Sequence, residues 1–152
     1  MTTHTGHFVL TRTRPVTPDL LWHLLTDGKS REAWGAPEDT MVLPMESEDF
    51  RVGGQDRHRC GPAENPHFAV ETRWYNIDAP KAVTFTETII DGGAAMATTL
   101  VTYAVTPDGK GARRVVHVAV ASFTGADAIG EVEEGGTGGL SNLEAMAREM
   151  AA

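Results

Sequence analysis

The sequence contains only one cysteine, Cys60, among its 152 residues. A single cysteine cannot form an intramolecular disulfide, which argues against a disulfide-stapled secreted domain. The N-terminal segment MTTHTGHFVL has no basic region and no long apolar run, so it does not resemble a signal peptide. No segment approaches the roughly 20 apolar residues that a membrane span needs. These absences predict a cytoplasmic protein without membrane insertion.

Positive charge is also scarce in this chain. The 13 Lys and Arg residues face 21 Asp and Glu residues, so the formal net charge is -8. Nucleic acids and anionic membranes bind basic patches, and the sequence therefore predicts no nucleic-acid partner.

Ser141 in GLSNL lacks the second glycine of a nucleophile elbow. The segment GGTGG has no lysine after it and follows Glu133 and Glu134, which disfavours a phosphate cradle.

The apolar pattern predicts an α+β chain, which we interpret as one domain over residues 1–152. Thr17 and Pro18 predict the start of a helix that Gly28 ends, and a short helical turn follows over 30–35. Runs rich in β-branched residues predict strands over 7–14, 40–45, 55–60, 67–77, 82–90, 96–105 and 113–123. A glycine-rich flexible loop, which could gate ligand access, is expected before a C-terminal helix with an apolar stripe.

The segment FRVGGQDRHRCG, residues 50–61, does not alternate as a half-buried strand should. After Gly54, one side carries only polar or charged residues, and the other carries Asp56, His58 and Cys60. A charged row buried in a dry core would cost several kcal/mol per group. Either this strand is a solvated edge, or its inner face meets water or a ligand. We favour a cavity with a polar end at this strand.

The same three side chains raise the question of a metal or a catalytic group. Asp56 and Cys60 would lie roughly 13 Å apart along a strand, whereas donors sharing one zinc ion lie within about 4.6 Å. We therefore predict no metal site, and we expect no other cofactor. His58 and Cys60, about 7 Å apart, are poorly placed as a base and a nucleophile. If the protein is an enzyme, His58 with Asp56 beside it is the candidate acid or base.

Four motifs in order resemble one branch of a known superfamily. They are RTRPVTPDLLWHLLTDGKSREAW, FRVGGQDRHRCG, YNIDAPKAVTFTE and TLVTYAVTPDGKGARRVVHV. Together they resemble the START-like (SRPBCC) proteins, and within them the branch related to the activator of heat-shock-protein-90 ATPase. The resemblance implies a helix-grip fold similar to that of the birch-pollen allergen. In that fold a curved antiparallel sheet of about six to seven strands grips a long C-terminal helix, with two short helices after strand 1.

The resemblance also implies which residues face the interior. By the family's register Asp56, His58 and Cys60 of the Gly-Gly strand point inward. The valines of the last two strands do so as well, which places Arg114 at the rim and His117 outside. The expected ligand-binding residues are Trp34, Phe50, His58, Cys60, Phe68, Trp74, Tyr103, Val118, Leu140 and Leu143.

Three functions fit such a fold, and fold analogy alone does not choose among them. We favour binding of a small hydrophobic or lipid-like molecule in a cavity between the sheet and the C-terminal helix. The alternatives are an enzyme of the polyketide cyclase or hydrolase kind, towards which we do not lean, and a co-chaperone-like module. A chaperone partner ranks last, because the true activator has a second domain. Formation of a homodimer is a further possibility that the sequence leaves open.

Overall fold

The computed structural model describes residues 3–36 and 39–151, without the side chain of residue 151. The strands are β1 (His4–Arg14), β2 (Met41–Val42), β3 (Met45–Ser47), β4 (Gln55–Pro62), β5 (Phe68–Asp78), β6 (Ala82–Asp91), β7 (Ala94–Asp108) and β8 (Gly111–Ser122). The helices are α1 (Pro18–Thr26), α2 (Gly28–Trp34) and α3 (Asp127–Ala151). The predicted α+β helix-grip fold is confirmed.

The strands form one curled antiparallel sheet in the order β1-β8-β7-β6-β5-β4-β2, with β3 also paired to β4. The described residues give eight strands, because the segment predicted as a single strand over 40–45 divides into β2 and β3. Register shifts within the β5–β6 and β6–β7 pairs mark bulges. Bulges increase the local twist of a sheet, which helps this one to curl around the helices.

The hydrophobic core lies between the concave face of the sheet and the three helices. The valines of β7 and β8 that were expected to point inward are buried, and His117 is exposed. From the helical side, Leu24 and Leu25 of α1 and Leu143 of α3 are fully buried. Apolar residues at alternate strand positions thus meet the apolar stripes of the helices.

The ends of the short helices are set by side-chain caps. Thr17 accepts a hydrogen bond from the Leu20 amide, as predicted for an N-cap. Gly28, however, does not end α1: Asp27 is its C-cap and is also the N-cap of α2, which begins at Gly28. The Asp27 carboxylate accepts from the amide and hydroxyl of Ser30 at 3.0 and 2.8 Å, and these bonds hold its pKa below the ordinary value.

The prediction of a flexible glycine loop before the last helix is wrong. Helix α3 runs without interruption from Asp127 through all five of its glycines. Each glycine disfavours a helix by roughly 0.5–1 kcal/mol relative to alanine, so tertiary packing must supply the stability. Ile129 packs against Gly6 of β1, and Leu140, Leu143 and Ala147 are buried in the core.

Candidate functional site

The inner face of β4 is polar and buried. Asp56 and His58 are each only 1% exposed, and Cys60 is half-buried, whereas Gln55 on the other face is exposed. The inward register predicted for this strand is therefore confirmed, and the strand is not an edge solvated on both faces.

Two glycines bring the chain into β4. Gly53 has a φ of 82°, in the left-handed region that glycine adopts most readily. A Cβ on Gly54 would collide with the carbonyl oxygen of Asp49. The Gly53 amide donates to the Trp74 carbonyl at 2.8 Å, and the Trp74 amide donates to the Gly54 carbonyl at 3.1 Å. The Gly-Gly pair thus fixes the start of β4 against β5.

Asp56 is held by one charged and one backbone donor. The Arg31 guanidinium of α2 donates to its carboxylate at 3.0 Å, and the Asp49 amide donates at 2.7 Å. The second Arg31 nitrogen lies 3.6 Å from the Glu87 carboxylate of β6, which also accepts from the Thr72 hydroxyl at 3.4 Å. Arg31 is 4% exposed and Thr72 is fully buried. We call Arg31, Asp56, Thr72 and Glu87 the Arg31 cluster.

The Arg31 cluster lies against a series of aromatic rings. The Arg31 guanidinium carbon is 5.0 Å from the centre of the Trp74 ring and 5.9 Å from that of Phe85, which favours cation–π attraction. Trp74 contacts Phe50 at a centroid distance of 4.7 Å and Phe85 at 4.9 Å, and Phe85 contacts Tyr103 at 5.1 Å. The interior therefore joins a polar end on β4 to an aromatic wall on β5, β6 and β7.

His58 is the least satisfied polar side chain of this region. Neither ring nitrogen has a hydrogen-bond partner among the described residues, and the same holds for the Trp74 indole nitrogen. Burial, assisted by the positive charge of Arg31, lowers the pKa of His58 from 6.5 to about 4. The imidazole is therefore neutral at pH 7, with one N–H donor and one nitrogen acceptor.

The same environment raises the pKa values of three neighbouring groups. Burial raises the pKa of Glu87, although a third of its side chain stays exposed, and the nearby Asp56 adds to this shift. Burial and then the charge of Glu87 raise the pKa values of Cys60 and Tyr103. An additional negative charge would be unfavourable in this region.

The structure brings only some of the expected ligand-binding residues together. Phe50, His58, Trp74 and Tyr103 lie around the Arg31 cluster or its aromatic wall, whereas Cys60 pairs with Phe68 nearer the end of β4. The others pack in the core: Trp34, whose indole donates to the Leu24 carbonyl at 2.7 Å, and Val118, Leu140 and Leu143.

The Asp56–His58 pair considered as an acid–base dyad is not formed. Both Asp56 oxygens accept hydrogen bonds from other donors, and His58 donates none to them in the described part of the chain. Among the described residues, no three His, Cys, Asp or Glu side chains are grouped closely enough to hold a metal ion.

Sequence reasoning missed Arg31 and Glu87. Glu87 follows Phe85 by two residues and precedes Ile89 by two, so the alternation of β6 places it on the inner face. That period-2 pattern was a usable signal. The sequence gives no such signal for Arg31, because the pattern of a short helical turn does not reveal which of its residues faces the sheet.

A second buried ion cluster lies at the other end of the strand order, near β1 and β8. Glu144 of α3 accepts from Arg14 of β1 at 2.7 and 3.0 Å and from Arg114 of β8 at 2.8 Å. We call Arg14, Arg114 and Glu144 the Glu144 cluster. Arg114 was expected at the rim, but only 3% of it is exposed, because α3 covers it. Burial lowers its pKa, and Glu144 opposes that shift.

No helix in the described part of the chain is long and apolar enough to cross a membrane. The sequence matches the family model for the Activator of Hsp90 ATPase homolog 1-like protein over residues 15–148. None of the curated proteins matches it.

Several solved structures share this architecture. A protein from Rhizobium loti is 28% identical with a TM-score of 0.82, covering 95% of this chain and 99% of the other. A family protein from Silicibacter pomeroyi is 23% identical with a TM-score of 0.78 and the same coverage. The structure of Ara h 8.0201 is 14% identical with a TM-score of 0.75, covering 96% of this chain and 99% of the other, which shows a shared fold.

Proposed function

The chain belongs to the Activator of Hsp90 ATPase homolog 1-like family, and we propose that it binds a small uncharged molecule with an apolar body and one hydrogen-bonding group. The observation that carries this proposal is the His58 ring, which is 1% exposed and has no hydrogen-bond partner among the described residues. Buried polar atoms in proteins nearly always have partners. A ligand group that reached His58 would supply one.

The chemistry of His58 defines the ligand's polar group. Neutral His58 offers one donor and one acceptor. A hydroxyl group both donates and accepts, so it can bond to either ring nitrogen, and an amide can do so as well. The adjoining rings of Phe50 and Phe85 favour a flat apolar body for the rest of the molecule.

The charges of the Arg31 cluster argue against an anionic ligand here. Two carboxyl groups, those of Asp56 and Glu87, already share the single cation of Arg31. The raised pKa of Glu87 shows that the region already disfavours negative charge. A carboxylate ligand would add a third negative group without a free cation to receive it.

A surface groove beside α2 supports the idea that a ligand approaches this region from the solvent. It has a volume of about 500 Å³ and lies between α2 and the chain leading into β3, with Ala33, Met41, Leu43 and Pro44 in its lining. Helix α2 thus contributes Ala33 to the groove and Arg31 to the interior. Met45 of β3 pairs directly with His58 of β4. The groove therefore adjoins the helix and the strand that border the polar end of the interior.

Three probes of equal shape test the proposal in an NMR titration of the ¹⁵N-labelled protein. We expect 2-naphthol to shift the Trp74 indole signal and the His58 ring signals in a saturable way. Naphthalene, which lacks the hydroxyl, should bind about tenfold more weakly, the equivalent of one net hydrogen bond. The anion 2-naphthoate should bind this region more weakly still.

Variants separate specific binding from general adsorption. His58→Leu should remove the preference for naphthol over naphthalene, whereas His117→Leu, on the exposed face of β8, should keep it. If naphthol leaves the Trp74 and His58 signals unchanged, or if naphthoate binds there equally well, the proposal is wrong.

A further inference from the structure

The cleft between β1, β8 and α3 combines buried positive charge with apolar walls. It has a volume of about 210 Å³ and is lined by Leu10, Arg12, Arg114, Thr137, Leu140 and Ser141, with Glu144 at its base. Pockets for drug-sized ligands usually measure about 300–1,000 Å³. This cleft therefore suits a smaller molecule.

Two arginines face each other across the cleft floor. Arg12 and Arg114 are direct cross-strand partners in the antiparallel β1–β8 pair, so their side chains leave the sheet on the same side. Like charges placed directly opposite destabilise a sheet, and the charge of Arg12 contributes to the lowered pKa of Arg114. An anion between the two guanidinium groups would relieve this repulsion.

The protein's own carboxylate only partly balances these charges. Glu144 engages Arg14 and Arg114, whereas Arg12 has no ion pair among the described residues. Arg114 is 3% exposed, and its Nη1 has no hydrogen-bond partner. Three arginines thus stand against one glutamate, an excess of positive charge in a chain whose formal net charge is -8.

Helix α3 supplies neutral polar groups on the other wall. Thr137 and Ser141 are four residues apart on the helix, so their side chains project on the same face. Neither hydroxyl is engaged in a side-chain hydrogen bond within the described part of the chain, and Leu140 lies between them in sequence. An anion held by arginine could accept from these hydroxyls while its apolar part contacts Leu10 and Leu140.

We propose that this cleft is a second binding site, for a small organic carboxylate, held between Arg12 and Arg114 and contacted by Thr137 and Ser141. Guanidinium groups bind carboxylates through paired, charge-assisted hydrogen bonds. The apolar walls favour a carboxylate with a short hydrocarbon chain over a fully hydrated inorganic anion. This site is separate from the region around His58, which disfavours negative charge.

The test is a titration with butyrate at constant ionic strength, followed through the arginine Nε–H NMR signals. Butyrate should shift the Arg114 signal saturably, and butyramide, its uncharged analogue, should not. Arg12→Gln should weaken butyrate binding about tenfold, through loss of a charge-assisted contact. Arg12 is exposed, so this substitution leaves the core intact. Arg113→Gln, an equal change of charge on the opposite face of β8, should leave the affinity unchanged.

Three outcomes would overturn the proposal: no saturable shift with butyrate, equal binding of butyramide, or an equal loss in the two arginine variants. If inorganic phosphate saturates the Arg114 signal and butyrate does not, the carboxylate assignment is wrong. Failure here is distinct from failure of the naphthol experiment, because the two titrations follow different side chains with different probes.

Discussion

Two ion clusters of opposite composition are buried at different ends of the strand order. In the Arg31 cluster, near β4 and β6, one cation is shared by two carboxyl groups. In the Glu144 cluster, near β1 and β8, one carboxylate is shared by two arginines. Both tie a helix to the concave face of the sheet: α2 through Arg31 and α3 through Glu144.

The two clusters differ in the charge of the ligand group that each could receive. The first cluster has no unpaired cation, and the raised pKa of its Glu87 carboxyl indicates that a further negative charge would be unfavourable there. The second has an extra arginine beside it and an unpartnered Arg114 nitrogen. Tyr103 belongs to β7, which lies between β6 and β8 in the sheet, and the charges of Glu87, Arg31 and Arg114 all influence its pKa. If both proposals hold, the fold has one end for uncharged groups and another for anions.

The largest expected effect comes from removing the shared cation. Arg31→Met leaves Asp56 buried without its charged partner, and such a loss typically costs about 3–5 kcal/mol of unfolding free energy. Urea denaturation at pH 7 measures it. The loss should shrink between pH 7 and pH 5, because Glu87, whose pKa burial already raises, can take up a proton once the guanidinium is gone.

Arg51→Met is the matched control for that variant. The Arg51 side chain is 69% exposed and pairs with Asp49 at the surface, so its removal should cost less than about 1 kcal/mol. If the two variants lose equal stability, the Arg31 cluster does not hold α2 in place as argued above.

Removing the shared carboxylate should have a smaller and differently pH-dependent effect. Glu144→Gln leaves Arg114 buried without an anion, but the amide oxygen can still accept a hydrogen bond, so we expect a loss of about 2–3 kcal/mol. Arginine does not deprotonate in proteins, so this loss should stay constant from pH 7 to pH 5. The same urea titrations test it, with Glu149→Gln, exposed on the same helix, as the control. A loss that shrinks with falling pH would contradict the contrast between the clusters.

The sequence was sufficient for the fold and for the polar face of β4, but not for the clusters. Alternation and turn residues are local signals, and they located β4, whereas the inward register of Asp56 and His58 came from the family resemblance. The family resemblance supplied the helix-grip arrangement. Ion partners far apart in sequence, such as Arg114 and Glu144, depend on how α3 docks, which no local pattern encodes.

The glycines of α3 mislead in the same way. Their local preference is for a loop, yet the described helix continues through them, because Ile129 and Leu143 are packed against the sheet and the core. The Asp56–His58 dyad failed for a related reason: Arg31, distant in sequence, is a stronger partner for the carboxylate than a neutral imidazole.

The smallest expected effect is the pH response of His58, which sharpens the description of the Arg31 end. Its folded-state pKa is about 4 against 6.5 unfolded, so the unfolded chain takes up a proton first as the pH falls. Stability is therefore lost below pH 6.5 and continues to fall until about pH 4. Between pH 6.5 and pH 5 this group alone should lower the unfolding free energy by about 1.5 kcal/mol.

The measurement is the slope of unfolding free energy against pH, compared between variants. His58→Gln has no titrating group at this position, so its slope should be flatter than that of the unmodified protein by the stated amount. His117→Gln, on the exposed face of β8, should retain the original slope. If His58→Gln keeps the full slope, the imidazole is not held neutral, and the argument for an uncharged ligand at this end loses its basis. A flatter slope would show that the folded protein holds His58 in its neutral form.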